Sequence, residues 1–168
     1  MNKKAIIFGI KGYHLTKLEK KFFRSVKPWG IILFSRNIKD ISQLKFLINQ
    51  IKKIFSNKNY PILIDQEGGK VSRLDKIINL SFFSQDFFGR LYKKDKKLFY
   101  KVYNIYVDKV CEIFKKVGIN INTVPVLDVV RKKTHKIIGN RSFSKNPKNI
   151  SKLGNICINL YEKNKIAT

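Results

Sequence analysis

Cysteine and histidine are scarce in this sequence, and their scarcity argues against metal and redox chemistry. The chain of 168 residues has two cysteines, Cys111 and Cys157, and two histidines, His14 and His135. The cysteines lack CxxC spacing and lie in apolar-periodic stretches, so we expect buried, reduced thiols. The histidines are isolated from each other and from either cysteine. The sequence therefore predicts neither a metal site nor a cofactor.

Long apolar runs are also absent, so no membrane partner is expected. The N-terminus, Met1-Asn2-Lys3-Lys4 before the apolar residues 5–10, has some features of a signal peptide. Its apolar part is too short, however, and no small-residue cleavage site follows. We therefore expect a first strand here and a cytoplasmic protein.

Acidic residues are few, at 11 Asp and Glu against 36 Lys and Arg, which gives a net charge of +25. Such an excess is typical of proteins that bind nucleic-acid phosphates. The lysines are nevertheless spread over nearly every segment, and no base-reading motif accompanies them. We expect no specific nucleic-acid partner, only incidental binding of polyanions. A basic nucleic-acid-associated protein remains the alternative, which salt-dependent retention on DNA would favour.

Apolar periodicities alternate between strand and helix along the chain. Three helices have candidate N-caps at Thr16, Asp40 and Asn146, and a long helix ends near Gly118. The strands are predicted at 5–10, 30–34, 60–64 and 120–129, with the start of a fifth at 166–168. This order predicts a parallel α/β sheet with right-handed crossovers. A three-layer open sheet and a barrel both satisfy it.

Three segments carry more specific expectations. The first helix should bury Leu15, Leu18, Phe22 and Phe23. The segment 77–89 holds four phenylalanines without clean periodicity and is interpreted as a long loop. Proline inside the fourth strand, at Pro125, predicts a bulge or bend, because proline donates no ladder hydrogen bond.

The polar chemistry is concentrated between residues 60 and 74. An apolar run, Tyr60-Pro61-Ile62-Leu63-Ile64, ends at Asp65-Gln66-Glu67-Gly68-Gly69. Such a run is typical of a strand buried on both faces, whose C-terminal end is where ligands bind in this class of fold. Asp65 can accept hydrogen bonds from sugar-type hydroxyls, and Arg73 can donate to the same ligand. The alternative is a strand-terminating turn with solvated charges.

The string Asp65-Gln66-Glu67-Gly68-Gly69-Lys70-Val71, followed by Arg73, resembles the signature of bacterial β-N-acetylhexosaminidases of glycoside hydrolase family 3. Two further stretches resemble the family in the same order. Gly30-Ile31-Ile32-Leu33-Phe34-Ser35-Arg36-Asn37 is similar to its second strand and loop. Asn122-Thr123-Val124-Pro125-Val126-Leu127-Asp128-Val129 and Ile138-Gly139-Asn140-Arg141-Ser142-Phe143-Ser144 are similar to its fourth strand and the loop beyond.

The resemblance implies an α/β fold that forms the N-terminal half of a TIM (β/α)₈ barrel, with about four βα units and parallel strands. A complete barrel typically needs about 250 residues. Residues 1–168 are therefore expected to be a partial family 3 N-terminal domain, truncated before the catalytic loop. A decayed gene product, a fragment and half of a split enzyme all remain open.

The resemblance also implies three substrate-binding residues. Asp65 would hold hydroxyls of an N-acetylglucosamine ring, and Arg73 and Arg141 would help to position the sugar. For Arg141 the alternative is a charge on a surface loop. Asp128 is expected to orient its loop, and Glu67 to have a structural place in the turn.

The catalytic pair is not recognisable. Retaining glycosidases generally use a nucleophile and an acid/base. The family's acid/base is a histidine in a Lys-His-Phe-Pro-Gly-His-Gly stretch after strand five, and its nucleophile is an aspartate on a later strand. Neither His14 nor His135 has the matching neighbours. No catalytic residue is assigned.

The resemblance thus implies a β-N-acetylhexosaminidase-type glycoside hydrolase in an incomplete and inactive form. Its partner would be a small carbohydrate, an N-acetylglucosaminide derived from muropeptides in peptidoglycan recycling. A non-catalytic sugar-binding remnant is the alternative. Self-association through unpaired barrel edges is also expected, because only closure removes the edges of such a sheet.

Overall fold

The computed structural model describes residues 3–168 as an alternation of parallel strands and helices. Four strands form one sheet in the order β1-β2-β3-β4, and each adjacent pair is parallel. The strands are β1 (Lys4–Gly9), β2 (Pro28–Leu33), β3 (Ile62–Ile64) and β4 (Ile121–Asn122). The helices are α1 (Lys17–Val26), α2 (Ile41–Ile54), α3 (Gln85–Lys94), α4 (Lys96–Val117) and α5 (Pro147–Lys163). The predicted α/β fold of about four βα units is confirmed.

Short polar residues begin the helices where the sequence predicts them. The Thr16 hydroxyl accepts from the backbone N–H of Glu19, whose carboxylate accepts from the backbone N–H of Thr16, forming a capping box. Asp40 and Asn146 accept from backbone N–H groups in the first turns of α2 and α5. Gly118, with φ 96°, ends α4 in the left-handed conformation that glycine adopts readily.

The core lies between the sheet and its helices. Ile31 of β2 and Ile62 of β3 are in register and fully buried. Phe8 of β1 is in register with Ile31, and its ring contacts Phe22 of α1 at 5.1 Å between centroids. Because alternate residues of a strand face opposite sides, this face of the sheet carries the helices.

Strand β1 is the least buried of the four. The side chains of Ile6 and Ile7 are 43% and 42% exposed. Within residues 3–168, β1 pairs with β2 alone. Its other edge therefore presents unpaired backbone groups.

The fourth strand is much shorter than predicted. Regular pairing covers Ile121–Asn122 instead of 120–129. The peptide bond between Val124 and Pro125 is cis, and regular pairing ends at Asn122, three residues before this proline. Ala167 bridges Ile121 in parallel, where the start of a fifth strand is predicted.

Two other expectations were wrong in part. Leu18 and Phe22, both expected to be buried, are 80% and 43% exposed. Leu18 lies five residues before the buried Phe23 and so about 140° around α1 from it. The segment 77–89 was expected to be a loop throughout. Only residues 77–84 lie outside regular structure, because α3 begins at Gln85 with Ser84 as its N-cap. Among residues 3–168, no helix has both the length and the apolar character needed to cross a membrane.

Candidate functional site

A cleft of about 610 Å³ opens where β3 and β4 end. One wall is the turn that follows β3, and the other is the long loop that follows β4. Asp65, Arg73 and Arg141 all line this cleft. The structure therefore brings together the three residues that the sequence singles out, because the C-terminal ends of adjacent parallel strands meet at one edge of the sheet.

Asp65 is the first residue after β3, and both of its carboxylate oxygens have protein donors. The Thr123 hydroxyl donates to Oδ1, and Arg73 Nη2 donates to Oδ2 at 3.4 Å. Phe34 belongs to the loop after β2. The Arg73 guanidinium lies over the Phe34 ring, 5.5 Å from the ring centroid. Three consecutive strand ends thus contribute to this side of the cleft.

The buried amide of Gln66 fixes the turn that carries Asp65 and Arg73. Its Oε1 accepts from the backbone N–H groups of Arg73 at 2.7 Å and of Leu74 at 3.0 Å. Its own backbone N–H and carbonyl pair with the side-chain amide of Asn122 at 2.9 and 3.1 Å. Gln66 and Asn122 are both fully buried. These polar contacts are satisfied, as burial requires, and they tie the β3 turn to β4.

Arg141 crosses the cleft floor to the β3 turn. Its Nε and Nη2 each donate to a carboxylate oxygen of Glu67 at 2.8 Å. The hydrogen bonds to Glu67 raise the pKa of the Arg141 guanidinium, which stays charged. Glu67 is buried in this pair, in agreement with a structural place in the turn.

The loop after β4 is held by its own backbone and by one hydroxyl. Ser142 Oγ lies within hydrogen-bond distance of the backbone carbonyls of Asp128 and Ser144, and its single hydrogen is donated to the nearer one, that of Asp128. The Asp128 group that stabilises the loop is therefore its backbone carbonyl, rather than its side-chain carboxylate.

Sequence reasoning missed Thr123 and the partner of Arg141. Thr123 follows β4 directly, just as Asp65 follows β3, but it lies inside the strand predicted at 120–129, so its place at a strand end had no signal in the sequence. The pairing of Glu67 with Arg141 spans 74 positions in the sequence and had no local signal. Within residues 3–168, no group of three or more His, Cys, Asp or Glu side chains is arranged to hold a metal ion.

Four parallel βα units with a polar cleft at the carboxyl ends of the strands define an α/β protein of the class that binds ligands at that edge of the sheet. The chain belongs to glycosyl hydrolase family 3. The model of the glycosyl hydrolase family 3 N terminal domain matches residues 15–168.

Several named proteins are similar to this chain. Beta-hexosaminidase A of Pseudoalteromonas piscicida is 33% identical over 141 residues, which cover 79% of this chain and 22% of that protein. Beta-hexosaminidase of Neisseria gonorrhoeae is 31% identical over 150 residues, covering 88% of this chain and 40% of that protein.

Among solved structures, NagZ from Neisseria gonorrhoeae in complex with N-trifluoroacetyl-D-glucosamine has a TM-score of 0.83 and 28% identity, covering 96% of this chain and 48% of that one. The chain therefore spans less than half of each of these proteins. The prediction that it corresponds to the N-terminal part of a family 3 barrel is confirmed.

Proposed function

We propose that this chain is the N-terminal part of a β-N-acetylhexosaminidase-type glycosidase and that its cleft binds a terminal N-acetylglucosamine. The observation that carries the proposal is the meeting of Asp65, Arg73 and Arg141 in one cleft at the strand ends. The names of the similar proteins, and the N-trifluoroacetyl-D-glucosamine in the gonococcal structure, support this choice of sugar.

The chemistry of the cleft suits a neutral, polyhydroxylated ligand. A carboxylate has about four lone-pair sites, so Asp65 retains acceptor capacity for sugar hydroxyls beside Thr123 and Arg73. The guanidinium groups of Arg73 and Arg141 supply donors for ring hydroxyls and for the acetamido carbonyl. Acceptors and donors on facing walls would fix the orientation of the ring.

Hydrolysis requires a nucleophile and an acid/base on the two sides of the glycosidic bond. The 168 residues contain no stretch that matches the family's catalytic histidine loop. The two acids of the cleft, Asp65 and Glu67, are each engaged by an arginine. We infer that this chain by itself binds the sugar without cleaving it. Muropeptide-derived glycosides in cytoplasmic peptidoglycan recycling are the proposed substrates of the complete enzyme.

Sugar binding is tested by titrating the chain with N-acetyl-D-glucosamine and following its backbone amide signals by NMR. We expect saturable shifts around residues 65–73 and 123–141. Asp65→Asn should weaken binding about tenfold, since it removes a charged hydrogen-bond acceptor. Asp75→Asn is the matched control, because it removes an exposed carboxylate from the same loop. Equal affinity of the two variants would contradict the proposed role of Asp65.

Catalysis is tested separately with an aryl N-acetyl-β-glucosaminide. We expect no turnover above the uncatalysed rate. Turnover that disappears in Asp65→Ala would show that the chain is an active glycosidase. Sugar binding without turnover would agree with an incomplete enzyme or a sugar-binding remnant.

A further inference from the structure

The contact between Glu67 and Arg141 is a two-point ion pair that joins the β3 turn to the β4 loop. Both N–H···O distances are 2.8 Å. The Glu67 side chain is 5% exposed and that of Arg141 24% exposed. A guanidinium held at two points is fixed in plane as well as in position, which a single contact does not achieve.

The backbone of Glu67 is itself held in place by its surroundings. The Glu67 backbone N–H donates to the carbonyl of Val71 at 3.0 Å, and its carbonyl accepts from the buried Tyr106 hydroxyl at 3.2 Å. The next residue, Gly68, has φ 84°, and a Cβ there would lie 2.2 Å from the carbonyl oxygen of Phe83. Only glycine fits this turn, so the turn presents Glu67 in one orientation.

Arg141 is held at its backbone as well. The buried Gln85 side chain, with its amide nitrogen toward the two carbonyls, donates to Val126 O at 3.0 Å and to Arg141 O at 3.1 Å. Its oxygen accepts from the Val126 N–H at 3.0 Å. Helix α3 therefore fixes the main chain of the loop, while Glu67 fixes the end of the arginine side chain.

We propose that Glu67 is a positioning residue, which holds the Arg141 guanidinium ready for the sugar; this inference rests on the proposed function of the cleft. Arginine guanidinium carries five N–H donors, and two of them are used on Glu67. Arg141 also lines the cleft, where its remaining donors serve a ligand. Ordering a long side chain on binding costs conformational entropy. Glu67 lowers this entropic cost, because it orders the Arg141 side chain before the sugar binds.

The first test compares N-acetyl-D-glucosamine affinity in wild type, Glu67→Gln and Glu112→Gln. Glu112→Gln is the matched control, since it removes the same charge from an exposed ion pair with Lys109. We expect about tenfold weaker binding in Glu67→Gln alone. Wild-type affinity in a folded Glu67→Gln would overturn the proposal. Glu67→Asp keeps the buried charge with one methylene less, and is the second variant if glutamine prevents folding.

The second test asks whether Glu67 acts through Arg141. In the double variant Glu67→Gln, Arg141→Ala, sugar affinity should equal that of Arg141→Ala alone, whereas additive losses would contradict a positioning role. A readout without ligand is the Arg141 Nε–H NMR signal, which should exchange slowly with solvent in wild type and rapidly in Glu67→Gln. Failure of wild type to bind the sugar would reject the proposed function, and this signal would still report whether Glu67 orders Arg141.

Discussion

Arg73 Nη2 donates to Asp65 Oδ2 at 3.4 Å across the turn that follows β3. Each of the two side chains is 25% exposed, so solvent screens their attraction. The position of Arg73 is set instead by Gln66, which accepts from its backbone N–H at 2.7 Å. The pair therefore contributes more to the polarity of the cleft than to the stability of the turn.

We predict that Arg73→Gln lowers the affinity for N-acetyl-D-glucosamine about tenfold, because a charged donor is lost. The free energy of unfolding should fall by less than about 1 kcal/mol, as is usual for partly exposed ion pairs. Arg90→Gln is the control, since Arg90 forms an exposed pair with Asp86 at 3.0 Å outside the cleft. Urea denaturation and sugar titration of both variants check the prediction, and a large loss of stability in Arg73→Gln would contradict it.

A second prediction concerns the packing of α3 against the β4 loop. Alanine normally stabilises a helix relative to glycine by about 1 kcal/mol. At Gly89, however, a Cβ would lie 1.8 Å from the carbonyl oxygen of Phe143. Gly89→Ala should therefore destabilise the protein by about 1–3 kcal/mol, as overpacking does.

Gly12→Ala is the control for this substitution, because a Cβ there meets no heavy atom within 4 Å. Chemical denaturation of both variants measures the effect. A Gly89→Ala protein at least as stable as wild type would show that α3 and the loop separate without cost.

Local sequence signals predicted much of this molecule. Thr16, Asp40 and Asn146 are short polar residues before apolar-periodic runs, and each begins a helix because its side chain satisfies backbone N–H groups. Strand ends of a parallel sheet lie side by side, and this rule explains why Asp65 and Arg141, which the family resemblance singles out, line one cleft.

What the sequence did not predict depends on contacts between distant segments. The polar side chains of Gln66 and Asn122 find their hydrogen-bond partners only when the two strand ends meet and bury them. The Gln85 amide likewise has partners only once α3 lies against the β4 loop. Leu18 fits a helical stripe but is exposed, because the direction that the stripe faces is set by the sheet.

The two cysteines give a third prediction. Burial raises the pKa of Cys111 to about 12 and that of Cys157 to about 12. Because the thiolate is the reactive form, both thiols should react slowly with an aromatic disulfide reagent at pH 8 and rapidly once urea unfolds the chain. Ser25→Cys adds an exposed thiol as an internal control. Native thiols that react as fast as this added thiol would contradict their burial in the fold.

Self-association is the fourth prediction. Strand β1 has one unpaired edge among residues 3–168, and Ile6 and Ile7 are 43% and 42% exposed beside it. An open edge of this kind pairs readily with another chain. Burying apolar surface stabilises by roughly 25 cal/mol per Å², so several hundred Å² would favour association by several kcal/mol before its entropic cost.

The net charge of +25 opposes this association by repulsion between copies. Salt screens that repulsion, so we expect monomers at low ionic strength and association at high ionic strength. Sedimentation velocity across a salt series measures the change.

Ile7→Lys should keep the chain monomeric, because it places a charge on the exposed strand. Leu18→Lys adds the same charge at an exposed position on α1 and should leave association nearly unchanged. A monomer at every salt concentration would mean that the β1 edge is protected within a single chain.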